Sequence, residues 1–215
     1  MRLIILAAGD SFELDGFNKL LIKNPLTGKS ILQGYADVFN VDKITLVIGY
    51  RGMEVMHEYP EYEYIYNQKW QTTGSGYSLS LALTEEPSII IESDFFIDYS
   101  LKAELNSLGN YVVIKQSESK SLNSFKAKIK DGGVFGVYKG KSQNQDPTLI
   151  SLFKESNDEV LRQWKKNGIE NPHLYIGQTY PYESNRIPYF VVDNKSIYEI
   201  NTINDYISYV EKIRK

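Results

Sequence analysis

Short apolar runs and longer amphipathic segments follow one another along the first half of the chain. The apolar runs are typical of strands that are buried on both faces of a sheet. We predict these strands at 3–6, 43–48, 64–66, 88–91 and 111–114. Apolar residues at helical spacing lie between the runs and predict helices at 30–39, 53–59, 78–83 and 99–109. This alternation favours an α/β fold, a three-layer sandwich with a mostly parallel, twisted sheet.

The second half is less regular. Alternating lysines at 126–130 predict a strand with one solvated face, and further strands are predicted at 134–138 and 189–193. The apolar spacing at 148–166 predicts a helix, with a break at Asn157-Asp158, and another helix is predicted at 206–215.

Composition limits the function classes. The 215 residues suit one domain, 1–215, and a net charge of −3 gives no basic footprint for nucleic acid. With no cysteine and two histidines, thiolate metal sites are excluded and a histidine-rich zinc site is not expected. No apolar run is long enough for membrane insertion or for a signal peptide, so we expect a cytoplasmic protein.

The stretch 3–22 carries the first candidate chemistry. Small residues end the first predicted strand, so the backbone of Leu6, Ala7, Ala8 and Gly9 can approach a ligand closely and its N–H groups can bind a phosphate. Lys19 follows on a loop and can supply a positive charge where negative charge develops.

This stretch resembles the signature of nucleotidyltransferases with the Rossmann-like, GT-A-type fold. Their motif reads Leu-Ala-Ala-Gly-x-Gly-x-Arg-Leu and, after a short gap, Pro-Lys; residues 6–9 and Lys19 match it. Asp10-Ser11, Glu13 and Asn18 depart from it, standing in place of x-Gly, Arg and Pro. The chain is most similar to the branch that activates small phosphorylated head groups, such as the phosphocholine and phosphonate cytidylyltransferases.

The resemblance implies a nucleotide site and a metal site. Nucleotide-binding residues are implied within the polar loop that opens the helix after the third strand: Thr72, Thr73, Ser75 and Ser78. Asp94, at the end of a buried strand, matches the magnesium-binding aspartate of the family, ahead of Glu92 and Asp98.

The closing segment 196–206 resembles the family motif Trp-x-Glu-Ile-Asp-Thr-x-x-Asp, with Ile197 in place of Trp. The second metal ligand would then be Asn201, whose carbonyl oxygen can bind Mg²⁺ without adding charge. Glu199 is a carboxylate that can assist.

The implied reaction is transfer of a nucleotidyl group, preferably from CTP, to a small phosphorylated or phosphonate acceptor, for surface glycan or lipid decoration. Mg²⁺ is the implied cofactor, Lys19 and Asp94 the implied catalytic residues, and a homodimer is a further expectation. Acceptor specificity is expected in region 111–195, where rings beside carboxylates suit a cationic acceptor. The candidate acceptor-binding rings are Trp164, Tyr175, Tyr180 and Tyr182.

Two alternatives stay open from the sequence. A sugar-1-phosphate nucleotidyltransferase would use the middle region to bind a sugar. A nucleotide-binding module without activity would explain Glu13 and Asn201, the two departures that remove a family arginine and a family acid.

Overall fold

The computed structural model describes residues 1–116, 124–141, 145–193 and 195–214. The strands are β1 Arg2–Ala7, β2 Lys43–Ile48, β3 Glu63–Tyr66, β4 Ser88–Glu92, β5 Phe95–Ile97, β6 Tyr111–Lys115, β7 Phe125–Lys130, β8 Gly133–Lys139, β9 Thr148–Glu155, β10 Ile187–Val192 and β11 Ile197–Glu199. The α-helices are α1 Ile31–Val38, α2 Gly52–Glu58, α3 Ser75–Ala82, α4 Lys102–Ser107, α5 Asp158–Glu170, α6 Ile176–Thr179 and α7 Ile203–Ile213. Short 3₁₀ helices occupy Phe12–Leu14, Lys19–Leu21 and Tyr99–Leu101.

The first half of the chain forms the parallel part of a large sheet, as predicted. The strand order is β3-β2-β1-β4-β9-β6-β10-β8-β7. β1 pairs in parallel with β2 on one side and β4 on the other, so that Ile4 lies opposite Thr45 and Ile90. Because these strands run in one direction, the segments that follow β1, β2 and β4 leave the sheet at the same edge.

The sheet as a whole is mixed, and the prediction of a mostly parallel sandwich is wrong for the second half. β9 runs antiparallel between β4 and β6, and β7 and β8 form an antiparallel pair. β7 also returns to β9 through Lys126 and Thr148, so this half curls into a small barrel. The sequence order does not reveal this, because β9 inserts between strands that lie far from it in the chain.

The segment 148–166 also corrects a prediction. Its first half is strand β9, and helix α5 starts only after Asn157, whose side chain caps the helix by accepting from the backbone N–H groups of Glu159 and Val160. Nearly every residue of β9 is buried, so its apolar positions do not alternate. Such a run has no strand period and can be mistaken for part of a helix.

Apolar residues pack on both faces of the parallel strands. Leu3 and Ile5 belong to one core cluster, which contains α1 residues, whereas Ile4 and Leu6 belong to another, which contains α3 and α5 residues. The fully buried β1 therefore anchors the sheet from both sides. In the described part of the chain, no helix has the length and apolarity needed to span a membrane.

Gly49, directly after β2, lets two loops meet at the edge where β1 ends. A Cβ atom at Gly49 would lie 2.4 Å from the carbonyl oxygen of Ala8 and 2.7 Å from Cβ of Trp70. Tyr50 also donates its backbone N–H to the same carbonyl at 3.0 Å. The position of the Ala8 loop therefore depends on the absence of a side chain at Gly49.

We expect Gly49→Ala to lower the free energy of unfolding by about 1–3 kcal/mol, because the added methyl group overpacks this contact. The matched control is Gly34→Ala in α1, where an added Cβ meets no atom within 4 Å outside the local helix. That control should be neutral or stabilise the protein by up to about 1 kcal/mol. Chemical denaturation measures both, and equal stability of Gly49→Ala and the parent would contradict the contact.

Candidate active site

A cavity of about 450 Å³ lies at the carboxyl ends of β1 and β4. Its walls come from the loop after β1, the 3₁₀ helix of Lys19, the loop that leads into α3, the end of β4 and one ring near α6. The lining residues are Leu6, Ala7, Ala8, Gly9, Asp10, Ser11, Asn18, Lys19, Trp70, Gln71, Thr73, Gly74, Ser75, Ser78, Glu92, Ser93, Asp94 and Tyr175. This is the edge of a parallel sheet at which α/β proteins bind ligands.

Lys19 joins three distant parts of the sequence at this cavity. Its Nζ donates to Oδ1 of Asn201 at 2.7 Å and lies 3.7 Å from Oδ2 of Asp94. Asn18 fixes the start of the lysine's 3₁₀ helix, because its side chain accepts the backbone N–H of Leu20 at 3.1 Å. The cation is therefore held between the predicted metal ligands.

The two oxygens of the Asp94 carboxyl differ in their surroundings. Lys19 faces its Oδ2, whereas Oδ1 is buried and has no hydrogen-bond partner in the described part of the chain. Burial raises the pKa of the Asp94 carboxyl, and the Lys19 ammonium partly opposes that rise. A buried acceptor without a donor is costly, so this oxygen is suited to a ligand.

Two further acids lie in the field of Asp94. Burial, followed by repulsion from Asp94, raises the pKa of Glu92 to about 7, although hydrogen bonds from Ser151 and Ser75 oppose the rise. The same two causes raise the pKa of Glu199 to about 6. Glu199 is the more exposed of the two, does not line the cavity, and accepts from Nδ2 of Asn201 at 2.5 Å. Burial, with repulsion from Asp94 added to it, therefore favours the protonated forms of Glu92 and Glu199.

The residues present fit a magnesium ion held mainly by one carboxylate. Asp94 offers the unpartnered Oδ1, and Asn201 offers a carbonyl oxygen that now accepts from Lys19. Among the described residues, no group of three or more His, Cys, Asp or Glu side chains converges on one point. This suits Mg²⁺ rather than a dedicated metal cage, because Mg²⁺ commonly takes one or two protein oxygens and fills its shell with water and substrate phosphates.

The loop that follows β1 is braced on its outer side. Oγ of Ser11 donates to the carbonyl of Phe17 at 2.7 Å, and Arg51 donates from Nη1 to the carbonyl of Gly16 at 2.7 Å. The predicted phosphate-binding residues, Leu6 to Gly9, all line the cavity. Glu13 is exposed outside it, so the acid that replaces the family arginine does not face the cavity.

The predicted nucleotide-binding loop is only partly in place. Thr73, Ser75 and Ser78 line the cavity, whereas Thr72 is exposed outside it and donates to the carbonyl of Lys69. Asn67 was not among the predicted site residues. It is buried beneath the loop and donates to the hydroxyls of Thr73 and Ser78. A buried asparagine carries no motif of its own, so the pattern gave no signal for it.

Of the four predicted acceptor-binding rings, Tyr175 alone lines this cavity. Trp164 and Tyr180 are about 1% and 2% exposed and pack together in the core, so neither is available to a ligand there. Tyr182 packs on Tyr180, and its hydroxyl is buried. For these three rings the structure favours a packing role, because Trp164 lies on the buried face of α5 and packs on Tyr180, which in turn packs on Tyr182.

Tyr175 reaches the cavity because two loops lie side by side. The backbone N–H groups of Gly74 and Gly76 donate to the carbonyls of Pro172 and Leu174 at 2.7 and 3.1 Å. The Tyr175 ring packs against Phe125 with 5.1 Å between ring centroids, and Nζ of Lys139 lies 5.4 Å from its centroid. The middle region of the chain thus adds a ring and a nearby cation to this wall.

Known structures share this fold. No protein-family model matches the sequence, and no curated protein shows significant similarity to it. The structure is similar to the CTP:phosphocholine cytidylyltransferase LicC of Streptococcus pneumoniae, with a TM-score of 0.78 and 18% identity over 100% of this chain and 99% of that chain. It is similar to the inositol-1-phosphate CTP transferase of T. maritima, with a TM-score of 0.71 and 17% identity over 100% and 96%.

A nucleoside-diphosphate-sugar pyrophosphorylase from Vibrio cholerae is similar as well, with a TM-score of 0.69 and 14% identity over 98% of this chain and 100% of that chain. The structural neighbours are therefore nucleotidyltransferases, and the fold is the GT-A-like fold that the motifs predicted. At such low identity the likeness establishes the fold and leaves the activity to be argued from the site.

Proposed function

We propose that this protein is a nucleotidyltransferase that uses a nucleoside triphosphate, preferably CTP, and a small phosphorylated or phosphonate acceptor. The observation that carries the proposal is the position of Lys19, which lies between Asp94 and Asn201 at the sheet edge where Ala8 and Gly9 follow β1. A backbone loop, a cation and a buried acid at one sheet edge are the parts that phosphoryl transfer needs.

In the proposed reaction, an oxygen of the acceptor phosphate or phosphonate attacks the α-phosphorus in line. The bond from that phosphorus to the oxygen bridging to the β-phosphorus breaks, and pyrophosphate leaves. The backbone of Ala8 and Gly9 binds phosphate oxygens, and Lys19 neutralises charge on the α-phosphate. Asp94 and Asn201 would hold Mg²⁺, which would neutralise phosphate charge when bound. Positioning and charge neutralisation supply most of the catalysis.

The choice of CTP and of a head-group acceptor rests on similarity. LicC and the T. maritima enzyme are described as CTP-dependent enzymes, and LicC acts on phosphocholine. The second candidate, a sugar-1-phosphate acceptor, is favoured by the likeness to the Vibrio pyrophosphorylase. Tyr175 lines the cavity and is partly exposed, and an aromatic ring attracts a cationic head group more than a sugar. Such a head group would share the ring with Nζ of Lys139, which lies 5.4 Å from its centroid.

A substrate panel tests the function. The purified protein is incubated with Mg²⁺, each of CTP, UTP, ATP and GTP, and each of phosphocholine, an aminoalkyl phosphonate and hexose-1-phosphates, and pyrophosphate release is measured. We expect the highest rate with CTP and a head-group acceptor. Absence of pyrophosphate release with every pair would contradict the proposed activity.

Lys19→Ala should lower kcat by roughly 10²-fold, because it removes a charge that stabilises the transition state. Lys23→Ala is the matched control, since Lys23 is an exposed lysine nearby in sequence and outside the cavity. Steady-state kinetics and a thermal melt are measured for both. A folded Lys19→Ala variant with the parent kcat would rule out this role.

Activity should require Mg²⁺ or Mn²⁺, disappear in excess chelator and fall sharply in Asp94→Ala. Asn201→Asp should lower the Mg²⁺ concentration needed for half-maximal rate, because a carboxylate adds charge to the site, and Asn201→Ala should raise it. Asn171→Asp changes the net charge equally at an exposed position outside the cavity and serves as the control. If neither Asn201 variant shifts the Mg²⁺ dependence, Glu199 becomes the candidate second ligand.

Tyr175→Ala should raise KM for the acceptor several-fold and leave KM for the nucleotide nearly unchanged, because the ring contacts the acceptor only. Tyr99→Ala, which removes an exposed ring that does not line this cavity, is the control. A larger effect on the nucleotide KM would place Tyr175 in the nucleotide site. A preference for hexose-1-phosphate in the parent would support the sugar candidate.

A further inference from the structure

The buried side chain of Asn67 organises the hydroxyl groups on one wall of the cavity. Asn67 is about 1% exposed, and its Nδ2 donates to Oγ1 of Thr73 and to Oγ of Ser78, both at 3.0 Å. Its Oδ1 accepts the backbone N–H of Lys69 at 2.9 Å. Since a backbone N–H only donates, this contact fixes which end of the amide is the oxygen, and both hydroxyls must accept from Asn67.

The hydroxyl protons differ in what they can do next. Thr73 donates its proton to the carbonyl of Lys69 at 2.9 Å. Ser75 accepts the backbone N–H of Ile176 at 3.0 Å. Ser78 has no acceptor for its proton among the described residues. Because its oxygen already accepts from Asn67, Ser78 is a hydroxyl of this wall that can donate to a bound molecule.

The pair formed by Asn67 and Ser78 also differs in charge from other groups at the cavity. Lys19, Asp94 and Glu92 place the charged groups at the ends of β1 and β4, where phosphates and metal are proposed to bind. The pair formed by Asn67 and Ser78 is polar and neutral. If the charged groups bind phosphates and metal, as proposed, this neutral pair is left for an uncharged part of the ligand, such as a ring nitrogen or a carbonyl oxygen of a nucleobase.

We propose that Asn67 is a positioning residue for nucleotide recognition: it fixes the Ser78 hydroxyl as a hydrogen-bond donor to an acceptor atom of the base. The inference rests on the proposed function and extends it to a residue that does not line the cavity. In this role Asn67 donates to the Ser78 hydroxyl, and a mutation can reverse the direction of that hydrogen bond.

Asn67→Asp reverses the direction with little change of shape. A carboxylate accepts from both hydroxyls and from the Lys69 N–H, so the Ser78 proton turns inward and its lone pairs face the base. Dissociation constants are measured with Mg²⁺ for CTP, UTP, ATP, GTP and inorganic tripolyphosphate. Tripolyphosphate has no base, so its change in affinity reports the effect of the added charge alone. We expect the affinity of the tightest-binding nucleotide to fall about tenfold more than the affinity of tripolyphosphate. Equal losses for both ligands would overturn the proposal.

A double-mutant cycle separates an effect through Ser78 from a general one. Ser78→Ala should weaken the same nucleotide about three- to tenfold and leave tripolyphosphate unchanged. In the Ser78→Ala background, Asn67→Asp should not lower the ratio of nucleotide affinity to tripolyphosphate affinity any further, because the hydroxyl through which it acts is gone. An undiminished loss in that background would overturn the proposal.

A second comparison does not depend on Asn67→Asp being folded. Because the Thr73 proton is already committed, Ser78→Ala should cost at least three times more nucleotide affinity than Thr73→Val. The reverse order would overturn the inference. Failure of the proposed function is distinct: the parent would then release no pyrophosphate with any pair of nucleotide and acceptor. A parent that binds a nucleotide, with variants that bind it equally well, contradicts the role of Asn67 and leaves the proposed function standing.

Discussion

The site depends on one cation, Lys19, which is held against acids that would otherwise repel one another. Its Nζ contacts Asn201 and lies near Asp94, so the start, the middle and the end of the chain meet at one ammonium group. Each partner is placed by a different element: Asn18 caps the lysine's turn, β4 ends shortly before Asp94, and Asn201 leads into α7. The site cannot form until all three are in place, which couples function to the completed fold.

The mixed sheet divides the work of the cavity between its two halves. The parallel strands bring the Ala8 loop and Asp94 to one edge, because parallel strands end on the same side. The antiparallel half contributes β9, which carries Ser151 against Glu92, and the segment with Tyr175, which is tied to the loop before α3 by backbone hydrogen bonds. The proposed chemistry therefore lies with the first half, and the proposed acceptor specificity with the second.

The parallel half could be predicted because its signals are local. A run such as 43–48 has the length and apolarity of a buried strand, and the structure confirms it as β2. Strand β9 could not be separated from a helix, because burial of both faces removes the strand period, and its pairing with β4 and β6 joins distant segments. The short strands β5 and β11 were not predicted either, since each is stabilised mainly by the other.

The site residues also divide into those that local sequence signals predict and those that only tertiary packing places. Lys19 and Asp94 could be selected because motif position and strand ends predict where they lie, and the structure brings them together. The rings could not be sorted from the sequence: Trp164 and Tyr180 are core and Tyr175 is at the cavity, and only tertiary packing separates them. The sequence did not predict Asn67 as a site residue, because Asn67 does not line the cavity and its proposed role is exerted through the hydroxyl of Ser78.

The raised pKa values of Glu92 and Glu199 show that placing acids beside Asp94 has a cost in folding stability. Two acids beside Asp94 hold their protons to about pH 7 and about pH 6, whereas the ordinary value is 4.5, so the folded state loses stability as pH rises from 4.5 through those values. A fold selected for stability alone would replace such acids with neutral side chains. These acids lie near Oδ1 of Asp94, which is buried and has no hydrogen-bond partner among the described residues. A second cation beside Lys19 would stabilise the ionised acids during function. The proposed Mg²⁺–nucleotide complex would bring such a cation.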